Sequence, residues 1–285
     1  MQRSDFRFLE RLRVRWAEID AQQIVFNGHY LTYFDTAIAG YWRALAMPYA
    51  ATMASFDGDL FVRKATLEYL DSARYDEVLE IGMKCTRVGN SSITFSGAAF
   101  RQDRLLVSCE LVYVFADPVA KVTRPVPAEL RAVFEGFEAG QAMVDVRVGA
   151  WSALEAMARP IRAEVFIDEQ RIPADMEWDE ADADAVHAVA LNRLGRALGT
   201  GRMLEHVPGV AKIGRMAVTA SFRHSGVGRA VLDALLDAAR ARGDREAVLH
   251  AQLTAVPFYE RAGFARRGPV FDEAGIAHVE MLRVL

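Results

Sequence analysis

Apolar residues in the first half of the chain recur at helical spacing and then alternate with polar ones. Between residues 30 and 45 they fall three or four positions apart, and Met47-Pro48 ends this amphipathic helix. Four strand segments and a short second helix follow, at 60–70, 77–87, 91–100, 105–116 and 128–138. Consecutive strands after one long helix predict an α+β domain over residues 1–138.

Strands and helices alternate in the second half of the chain. A strand, a long helical segment interrupted at Pro160 and a hairpin come first, at 144–148, 152–170, 185–192 and 197–204. A strand, a glycine-containing turn and further helices and strands follow, at 212–219, 223–229, 230–242, 247–252, 255–262 and 278–284. This alternation predicts an α/β domain over residues 143–285, with a linker within 135–140.

The composition is that of an ordinary globular protein and excludes several classes of function. The chain has 285 residues, of which 52% are hydrophobic and 25% charged, and this length suits two domains. With a net charge of −4 and no long basic run, nucleic acid is not an expected partner. No apolar stretch reaches the roughly 18–20 residues of a membrane span, and residues 1–15 lack the apolar core of a signal peptide.

The two cysteines, Cys85 and Cys109, both fall in predicted strands. A cytosolic protein keeps such thiols reduced, so we expect a cytoplasmic chain without disulfides. No spacing of cysteine and histidine residues suggests a metal site, and we expect no metal as a cofactor.

An acidic residue precedes the long N-terminal helix. Asp20 ends a strand-like stretch, a short loop follows, and the helix opens at Asn27 or Gly28. The free N–H groups of a helix N-terminus can hold a developing oxyanion, while a carboxylate can activate water or attack directly. Together they could cleave a thioester. The alternative is that Asp20 is only a helix-capping acid.

This stretch, read as D-x-x-x-I-V-F-N-G-H-Y, resembles the signature of hotdog-fold acyl-CoA thioesterases of the 4-hydroxybenzoyl-CoA thioesterase type. Residues 73–81 and 87–95 agree with the same family, and the resemblance covers about residues 8–135. It implies an α+β hotdog domain in which Asp20 is the catalytic nucleophile or base and the Asn27 N–H polarises the thioester carbonyl. Many relatives have His or Tyr where this chain has Asn27. The substrate-binding residues implied are Val25, Phe26, Asn27, Gly28, His29 and Tyr30.

The resemblance also implies assembly. Hotdog domains of this type pair, with the acyl-CoA cleft at the subunit boundary, so we expect a homodimer or homotetramer. A single sheet of this kind would otherwise leave a long edge strand open.

The turn at 223–229 has the chemistry of a pyrophosphate cradle. A strand leads into a turn containing Gly226 and Gly228, and a helix follows directly. The glycines let the backbone approach phosphate groups, the helix N-terminus offers N–H groups, and Arg223 and Arg229 add positive charge.

The run 213–232, which contains this turn, resembles the acetyl-CoA-binding segment of the GNAT superfamily of N-acetyltransferases. Residues 251–264 match its F-Y-x-x-x-G-F element, and 164–170 and 275–281 are similar to one bacterial subgroup. The resemblance covers about residues 143–285 and implies an α/β GNAT domain with acetyl-CoA as co-substrate and an unidentified amine as acceptor. Tyr259 would protonate the leaving CoA thiolate. The acetyl-CoA-binding residues implied are Met216, Ala217 and Val218 along the pantetheine arm, and Arg223, His224, Ser225, Gly226, Val227, Gly228 and Arg229 at the pyrophosphate.

The general base of the second domain stays open. His250 shares a strand face with Gln252, and a satisfied buried histidine is favoured over a base there. The possible amine-side acids are Glu169, Glu177 and Glu280. The acidic run 179–184 is expected to be a solvated loop.

The two resemblances together predict a bifunctional enzyme that uses acyl-CoA and acetyl-CoA. In the alternative, only one domain is catalytic and the hotdog part dimerises or senses acyl-CoA for the acetyltransferase. A purely structural scaffold is disfavoured, because both halves keep their reactive geometry.

Overall fold

The computed structural model describes all 285 residues. They divide into two compact units, Met1–Met143 and Val144–Leu285. Residues 135–138, expected in the linker, form the last turn of a helix, Ala128–Glu138. No helix combines the length and the apolar character that crossing a membrane requires.

The N-terminal unit is one antiparallel sheet with a long helix packed against it. The sheet has the strand order β1-β3-β4-β5-β2. The strands are β1 Phe8–Arg13, β2 Asp59–Tyr69, β3 Val78–Val88, β4 Ser92–Arg101 and β5 Arg104–Ala116. The helices are α1 Asn27–Ala44, α2 Tyr49–Ser55 and α3 Ala128–Glu138.

The long helix α1 packs on the sheet through an apolar stripe, and a glycine in the sheet allows a close approach. Its buried residues include Tyr30, Phe34, Ile38 and Tyr41, at the spacing that the sequence predicts. A Cβ at Gly97 of β4 would lie 2.8 Å from the Phe34 ring, so glycine is what lets the helix approach the sheet there. This packing fixes the direction in which the N-terminus of α1 points.

The C-terminal unit is a mixed sheet with helices around it. The sheet has seven strands in the order β11-β12-β10-β9-β8-β7-β6. The strands are β6 Val144–Ala150, β7 Val186–Asn192, β8 Ala197–Val207, β9 Val210–Val218, β10 Glu246–Gln252, β11 Ala265–Glu273 and β12 Ile276–Val284. The helices are α4 Trp151–Arg162, α5 Ala174–Glu177, α6 Val227–Arg242 and α7 Val256–Arg261, with a π-helix at Ala163–Glu169.

The central parallel pair of this sheet splits along its length. Strands β9 and β10 pair over four positions only, from Val210 with Glu246 to Ile213 with Leu249. Beyond Ile213, the register of β8 against β9 shifts, and Arg215 takes a φ of +50°. Such a bulge bends a strand away from its neighbour. After Ile213, the edge of β9 that faces β10 is therefore left without a partner strand.

Several local features differ from the sequence prediction. Strands β1 and β11 and the short helix α2 are not predicted, and α6 begins at Val227 rather than at 230. The stretch before Asp20, predicted as strand-like, contains a 3₁₀ helix, Trp16–Glu18. Helix α4 is not interrupted at Pro160: it continues through this residue and then widens into the π-helix. Proline removes one i→i−4 hydrogen bond, and the wider winding that follows accommodates the loss without ending the helix.

Candidate active sites

Asp20 lies in a short loop between β1 and α1. The loop closes on itself, because the Asp20 N–H donates to the Ile24 carbonyl at 2.9 Å and the Gln23 N–H donates to the Asp20 carbonyl at 3.0 Å. The carboxylate oxygen Oδ1 accepts the N–H of Gln22 at 2.8 Å, and Oδ2 accepts no hydrogen bond within the chain. Asp20 is half-buried, so this second oxygen is available to water or substrate.

The first N–H groups of α1 are free. Those of Asn27 and Gly28 donate to no acceptor within the chain, whereas the His29 N–H donates to the Phe26 carbonyl at 2.9 Å. The N-cap of α1 is Phe26, and no side chain caps the helix, so the alternative that Asp20 caps it is wrong. A helix N-terminus with free N–H groups is a site for negative charge.

A second, buried carboxylate stabilises this loop through hydrogen bonds. Glu18 is buried and accepts the hydroxyl of Tyr33 at 2.7 Å and the N–H of Arg15 at 2.7 Å. Burial opposes its ionisation, but the hydrogen bonds from Arg15 and Tyr33 outweigh burial and hold the pKa of Glu18 below its usual range. The Glu18 carbonyl also accepts the N–H of Phe26 at 2.9 Å, which ties the loop to the start of α1. No motif in the sequence predicts this role of Glu18.

The six residues assigned to substrate binding divide into two groups. Val25 is buried, with its N–H bonded to the Ala73 carbonyl, and Tyr30 is buried, with its hydroxyl accepting the Ala73 N–H at 3.0 Å. These two side chains support the loop. The other four have accessible surface, and they are Phe26, Asn27, Gly28 and the half-buried His29.

In the C-terminal unit, the residues assigned to the pantetheine arm lie on the split strand. Met216, Ala217 and Val218 follow the bulge of β9, on the stretch that has no partner on its β10 side. The Val218 carbonyl accepts the Nε–H of Arg223 at 3.2 Å. A substrate with amide groups could add to this open edge as a strand would.

The turn before α6 has the conformation that the glycines predict. Gly226 has a φ of +91° and is the N-cap of α6. The N–H groups of Val227, Gly228 and Arg229 have no acceptor within the chain, since the first bond is from Ala230 to the Gly226 carbonyl at 3.0 Å. A Cβ at Gly228 would meet its nearest neighbour, Val218, at 3.4 Å, which is ordinary contact. Internal packing therefore does not demand glycine at 228.

The two arginines of the turn are already paired. Arg223 donates to both carboxylate oxygens of Glu169, at 2.6 and 2.5 Å. Arg229 donates to Asp233 one turn further along α6, at 2.7 Å. Of the other assigned residues, Val227 is buried, whereas His224 and Ser225 are exposed. The anion site that the turn offers is thus made of backbone N–H groups more than of free cations.

Tyr259 lines a cavity of about 440 Å³ that lies where β9 and β10 separate. Its ring packs against Phe264, and its hydroxyl makes no hydrogen bond within the chain. Burial raises the pKa of Tyr259, so the phenol stays protonated at neutral pH. Met216 and His250 line the same cavity. A proton donor thus stands beside the open edge of β9.

Six charged side chains form an ion-pair network against this cavity. They are Arg162, Arg202, Arg215, Glu177, Asp179 and Asp182. Arg162 is 1% exposed and donates to Asp182 at 2.8 Å. The Nε of Arg215 lies 3.1 Å from Glu177, although its angle does not satisfy a hydrogen bond. Burial raises the pKa of Glu177 despite its arginine partners.

This network corrects the expectation of a solvated loop at 179–184. Asp182 is buried, and Asp179 binds both Arg202 and Arg215. Asp179 therefore lines the cavity, and Asp179 and Asp182 pair with arginines from α4, β8 and β9, whereas Glu180 and Asp184 are exposed as expected. Charge runs carry no sequence signal for such pairing, because the partners lie 20 or more residues away.

The two units have different folds, and each carries its own candidate site, so the chain is a fusion of two domains. The family model described as "Thioesterase superfamily" matches residues 22–108, and the one described as "Acetyltransferase (GNAT) domain" matches residues 152–285. The chain therefore belongs to the hotdog-fold thioesterase superfamily in its N-terminal part and to the GNAT acetyltransferase family in its C-terminal part. Both sequence predictions of the fold and family are confirmed.

Relatives of each half agree with this assignment. The C-terminal half is 36% identical over 124 residues to the Uncharacterized N-acetyltransferase YjcF of Bacillus subtilis, covering 43% of this chain and 87% of that protein. The N-terminal half is 29% identical over 125 residues to the Acyl-CoA thioester hydrolase YbgC of Escherichia coli, covering 44% of this chain and 92% of that protein. It is also 31% identical over 96 residues to a protein of Aquifex aeolicus named only as a candidate esterase, covering 34% of this chain and 74% of that protein.

Proposed function

We propose that this chain is a bifunctional CoA-dependent enzyme. The N-terminal unit hydrolyses an acyl-CoA thioester, and the C-terminal unit transfers the acetyl group of acetyl-CoA to an amine. One observation carries the proposal. Each unit combines a helix N-terminus that has free N–H groups with a reactive group that has no internal partner, Asp20 Oδ2 in one unit and the Tyr259 hydroxyl in the other.

Hydrolysis needs a nucleophile and a place for the oxyanion. Asp20 either takes a proton from water, which then attacks the thioester carbonyl carbon, or attacks that carbon itself and forms an anhydride that water opens. The carbonyl oxygen becomes an oxyanion, and the free N–H of Asn27 is the donor we assign to it. The C–S bond then breaks and the CoA thiolate leaves.

Acetyl transfer uses the second site in a different way. The open edge of β9 receives the amides of the pantetheine arm, and the turn at Gly226 and Gly228 receives the pyrophosphate. The amine attacks the thioester carbonyl, the C–S bond breaks, and Tyr259 gives its proton to the departing thiolate. The names of two relatives, an N-acetyltransferase and an acyl-CoA thioester hydrolase, favour the same two reactions.

A second candidate function leaves the hotdog unit without catalysis, as a dimerising or acyl-CoA-sensing module. The available oxygen of Asp20 argues for the enzyme, because a sensor has no use for a carboxylate beside its thioester carbonyl. The anchoring of the same loop by Glu18 supports this choice.

A panel of acyl-CoA thioesters, followed by thiol detection, tests the first activity. Burial raises the pKa of both Cys85 and Cys109 to about 12, so the protein's own thiols should not react with the reagent. We expect turnover of at least one acyl-CoA without any amine, and amine-dependent turnover of acetyl-CoA. If no thioester is hydrolysed while acetyl transfer proceeds, the module alternative replaces the thioesterase.

We further propose that the protein assembles as a homodimer or homotetramer through its hotdog unit. Strand β2 is an edge of the sheet, has 11 residues and is exposed along most of its length. Long exposed edges invite pairing with another copy. Light scattering at micromolar concentration should give at least twice the chain mass of 31.6 kDa. A strictly monomeric species contradicts this assembly.

A further inference from the structure

We propose that His250 is the general base for the amine acceptor and that Glu273 positions it. The inference rests on the acetyltransferase function proposed above and identifies the side of the cavity at which a primary amine enters. Both residues line the cavity that Tyr259 lines. The site assigned to acetyl-CoA does not include them.

The hydrogen bond between the two residues fixes which nitrogen can act. His250 Nδ1 lies 3.0 Å from Glu273 Oε2. An ionised carboxylate only accepts, so Nδ1 carries the hydrogen and the lone pair of the neutral ring is on Nε2. Nε2 has no hydrogen-bond partner within the chain. The pair therefore holds an imidazole with a free basic nitrogen beside the cavity.

The pair is accessible, as a proton shuttle must be. The His250 side chain is 30% exposed and that of Glu273 is 50% exposed. The ring edge of Phe271 contacts His250, with 4.9 Å between the ring centres, and limits its rotation. A base in this position can take a proton from a bound ammonium group and pass it to solvent.

The acids suggested by the sequence are already engaged. Glu169 is occupied by Arg223, Glu280 by Arg267, and the buried Glu177 by Arg162 and Arg215. The pKa of Glu169 and that of Glu280 are lowered by these hydrogen bonds. Glu169 and Glu280 are therefore weaker proton acceptors. Burial raises the pKa of Glu177, but Glu177 is only 2% exposed and is held between two arginines. His250 is the alternative whose basic atom is free.

Charged and titratable groups on three other strands lie near His250. Glu273 is on β11, Glu280 lies directly opposite on β12, and His278 follows on the same strand. Lys212 on β9 lines the cavity as well. An incoming amine therefore meets two acidic side chains and one basic side chain around His250.

His278 is the other histidine in the cavity that could act as the general base, and it is therefore the matched control for His250. Its Nδ1 lies 2.8 Å from the Ile276 carbonyl, which leaves its Nε2 with the lone pair. It lines the cavity, yet it is only 9% exposed, and its ring stacks on Phe271. Its Nδ1 partner is a backbone carbonyl rather than a carboxylate. Because His278 is less exposed than His250, it is less accessible to an incoming amine.

The proton balance of the reaction closes with these groups. The acceptor ammonium loses one proton to His250 Nε2, and the free amine attacks the acetyl carbonyl carbon. As the C–S bond breaks, the departing thiolate takes a proton from the Tyr259 hydroxyl. The nitrogen of the tetrahedral intermediate loses its second proton, and this proton returns the Tyr259 phenolate to the phenol. The products are the N-acetyl amide, CoA thiol and one proton released from His250 to solvent.

His250→Ala in the full chain, with lysine, spermidine and butylamine as probe acceptors, tests the base. For every amine that the unaltered protein acetylates, we expect kcat/KM to fall by about 10²-fold or more. Added imidazole should restore part of the rate, and acetyl-CoA affinity by calorimetry should stay unchanged. His278→Ala should lose less activity and gain nothing from imidazole.

The outcomes separate failure of this inference from failure of the proposed function. Full activity in His250→Ala, or rescue by imidazole in His278→Ala alone, would overturn the role of His250 while acetyl transfer stands. If the unaltered protein binds acetyl-CoA but acetylates none of the amines, the acetyltransferase function fails and His250 loses its role with it.

Glu273 acts through His250, so its test needs a different readout. Glu273→Gln should lower kcat by about tenfold with the KM for acetyl-CoA unchanged, and Glu273→Asp should recover part of the loss. Glu280→Gln is the matched control, because Glu280 also faces His250 but bonds to Arg267. Equal losses in both variants would mean that general charge, rather than the contact with Nδ1, is what matters.

Discussion

The two helix N-termini of this chain, α1 and α6, offer the same free N–H groups but are entered differently. Helix α1 starts from Phe26 at a φ of −57°, and a carboxylate stands in the loop before it. Helix α6 starts from Gly226 at a φ of +91°, and the charged side chains around it are already paired. The α1 site therefore combines its N–H groups with a reactive side chain, whereas the α6 site offers backbone N–H groups alone.

The glycines near the two N-termini differ in the same sense. A Cβ at Gly28 would lie 2.8 Å from the ring of Phe26, so a side chain there would have to displace that exposed ring. At Gly228 the nearest atom would be 3.4 Å away, so nothing within the chain excludes a side chain. A side chain at Gly28 therefore moves Phe26 first, whereas one at Gly228 takes space that a ligand could use.

Replacing Asp20 should have the largest effect. Asp20→Asn keeps the shape but can neither attack nor take a proton, so hydrolysis should fall by about 10³-fold or more, or ~4 kcal/mol. Acetyl transfer should not change. Thiol release from the best acyl-CoA of the panel measures the loss.

Asn27→Ala is the matched control for Asp20→Asn. The oxyanion contact that we assign to Asn27 is made by its backbone N–H, so removal of its side chain should cost far less. Hydrolysis that survives in Asp20→Asn at the original rate would remove Asp20 from the mechanism. A loss in Asn27→Ala as large as in Asp20→Asn would mean that the Asn27 side chain touches the substrate.

Gly228→Asp should give the next largest effect, on binding alone. The new carboxylate would stand where a dianionic pyrophosphate must approach the N–H groups of α6, so we expect acetyl-CoA affinity to fall by about 100-fold. Gly228→Ala adds bulk without charge and separates the two causes. Calorimetry measures both, and unchanged affinity in Gly228→Asp would mean that the pyrophosphate binds elsewhere.

How far the sequence could predict these sites depends on how local each one is. Asp20 and the turn at Gly226 are continuous segments, and both can be predicted as sites because a loop, its glycines and the following helix carry their own signal. His250 with Glu273 joins residues 23 positions apart. That pairing exists only because β10, β12 and β11 are neighbours in the sheet. No periodicity can report it.

The strands that the sequence missed have a common physical cause. Strand β11 is exposed at almost every position and contains Gly268, and β1 has no fully buried residue. Strand prediction rests on the alternation of buried and exposed side chains, which such edge strands lack. Their stability comes from hydrogen bonds to β12 and β3, which depend on the tertiary fold.

Tyr259→Phe should separate binding from chemistry in the second site. It removes the hydroxyl and keeps the ring that packs against Phe264. We expect kcat for acetyl transfer to fall by about 10–100-fold, with acetyl-CoA affinity unchanged. Steady-state rates and calorimetry on the same sample test this. A loss of affinity instead of rate would assign Tyr259 to packing around the ligand.

Arg223→Gln should have the smallest effect and tests whether side-chain charge or backbone holds the pyrophosphate. Arg223 is neutralised by Glu169, and an exposed ion pair of this kind contributes only about 0.2–1 kcal/mol, so affinity for acetyl-CoA should change by no more than about fivefold. Arg229→Gln, which breaks the pair with Asp233, is the matched control. A loss of more than about 30-fold in Arg223→Gln alone would show that this arginine leaves Glu169 when acetyl-CoA binds, because only a direct contact with phosphate is worth about 2 kcal/mol. The α6 site would then depend on a mobile cation as much as on its N–H groups, and the contrast with α1 would narrow.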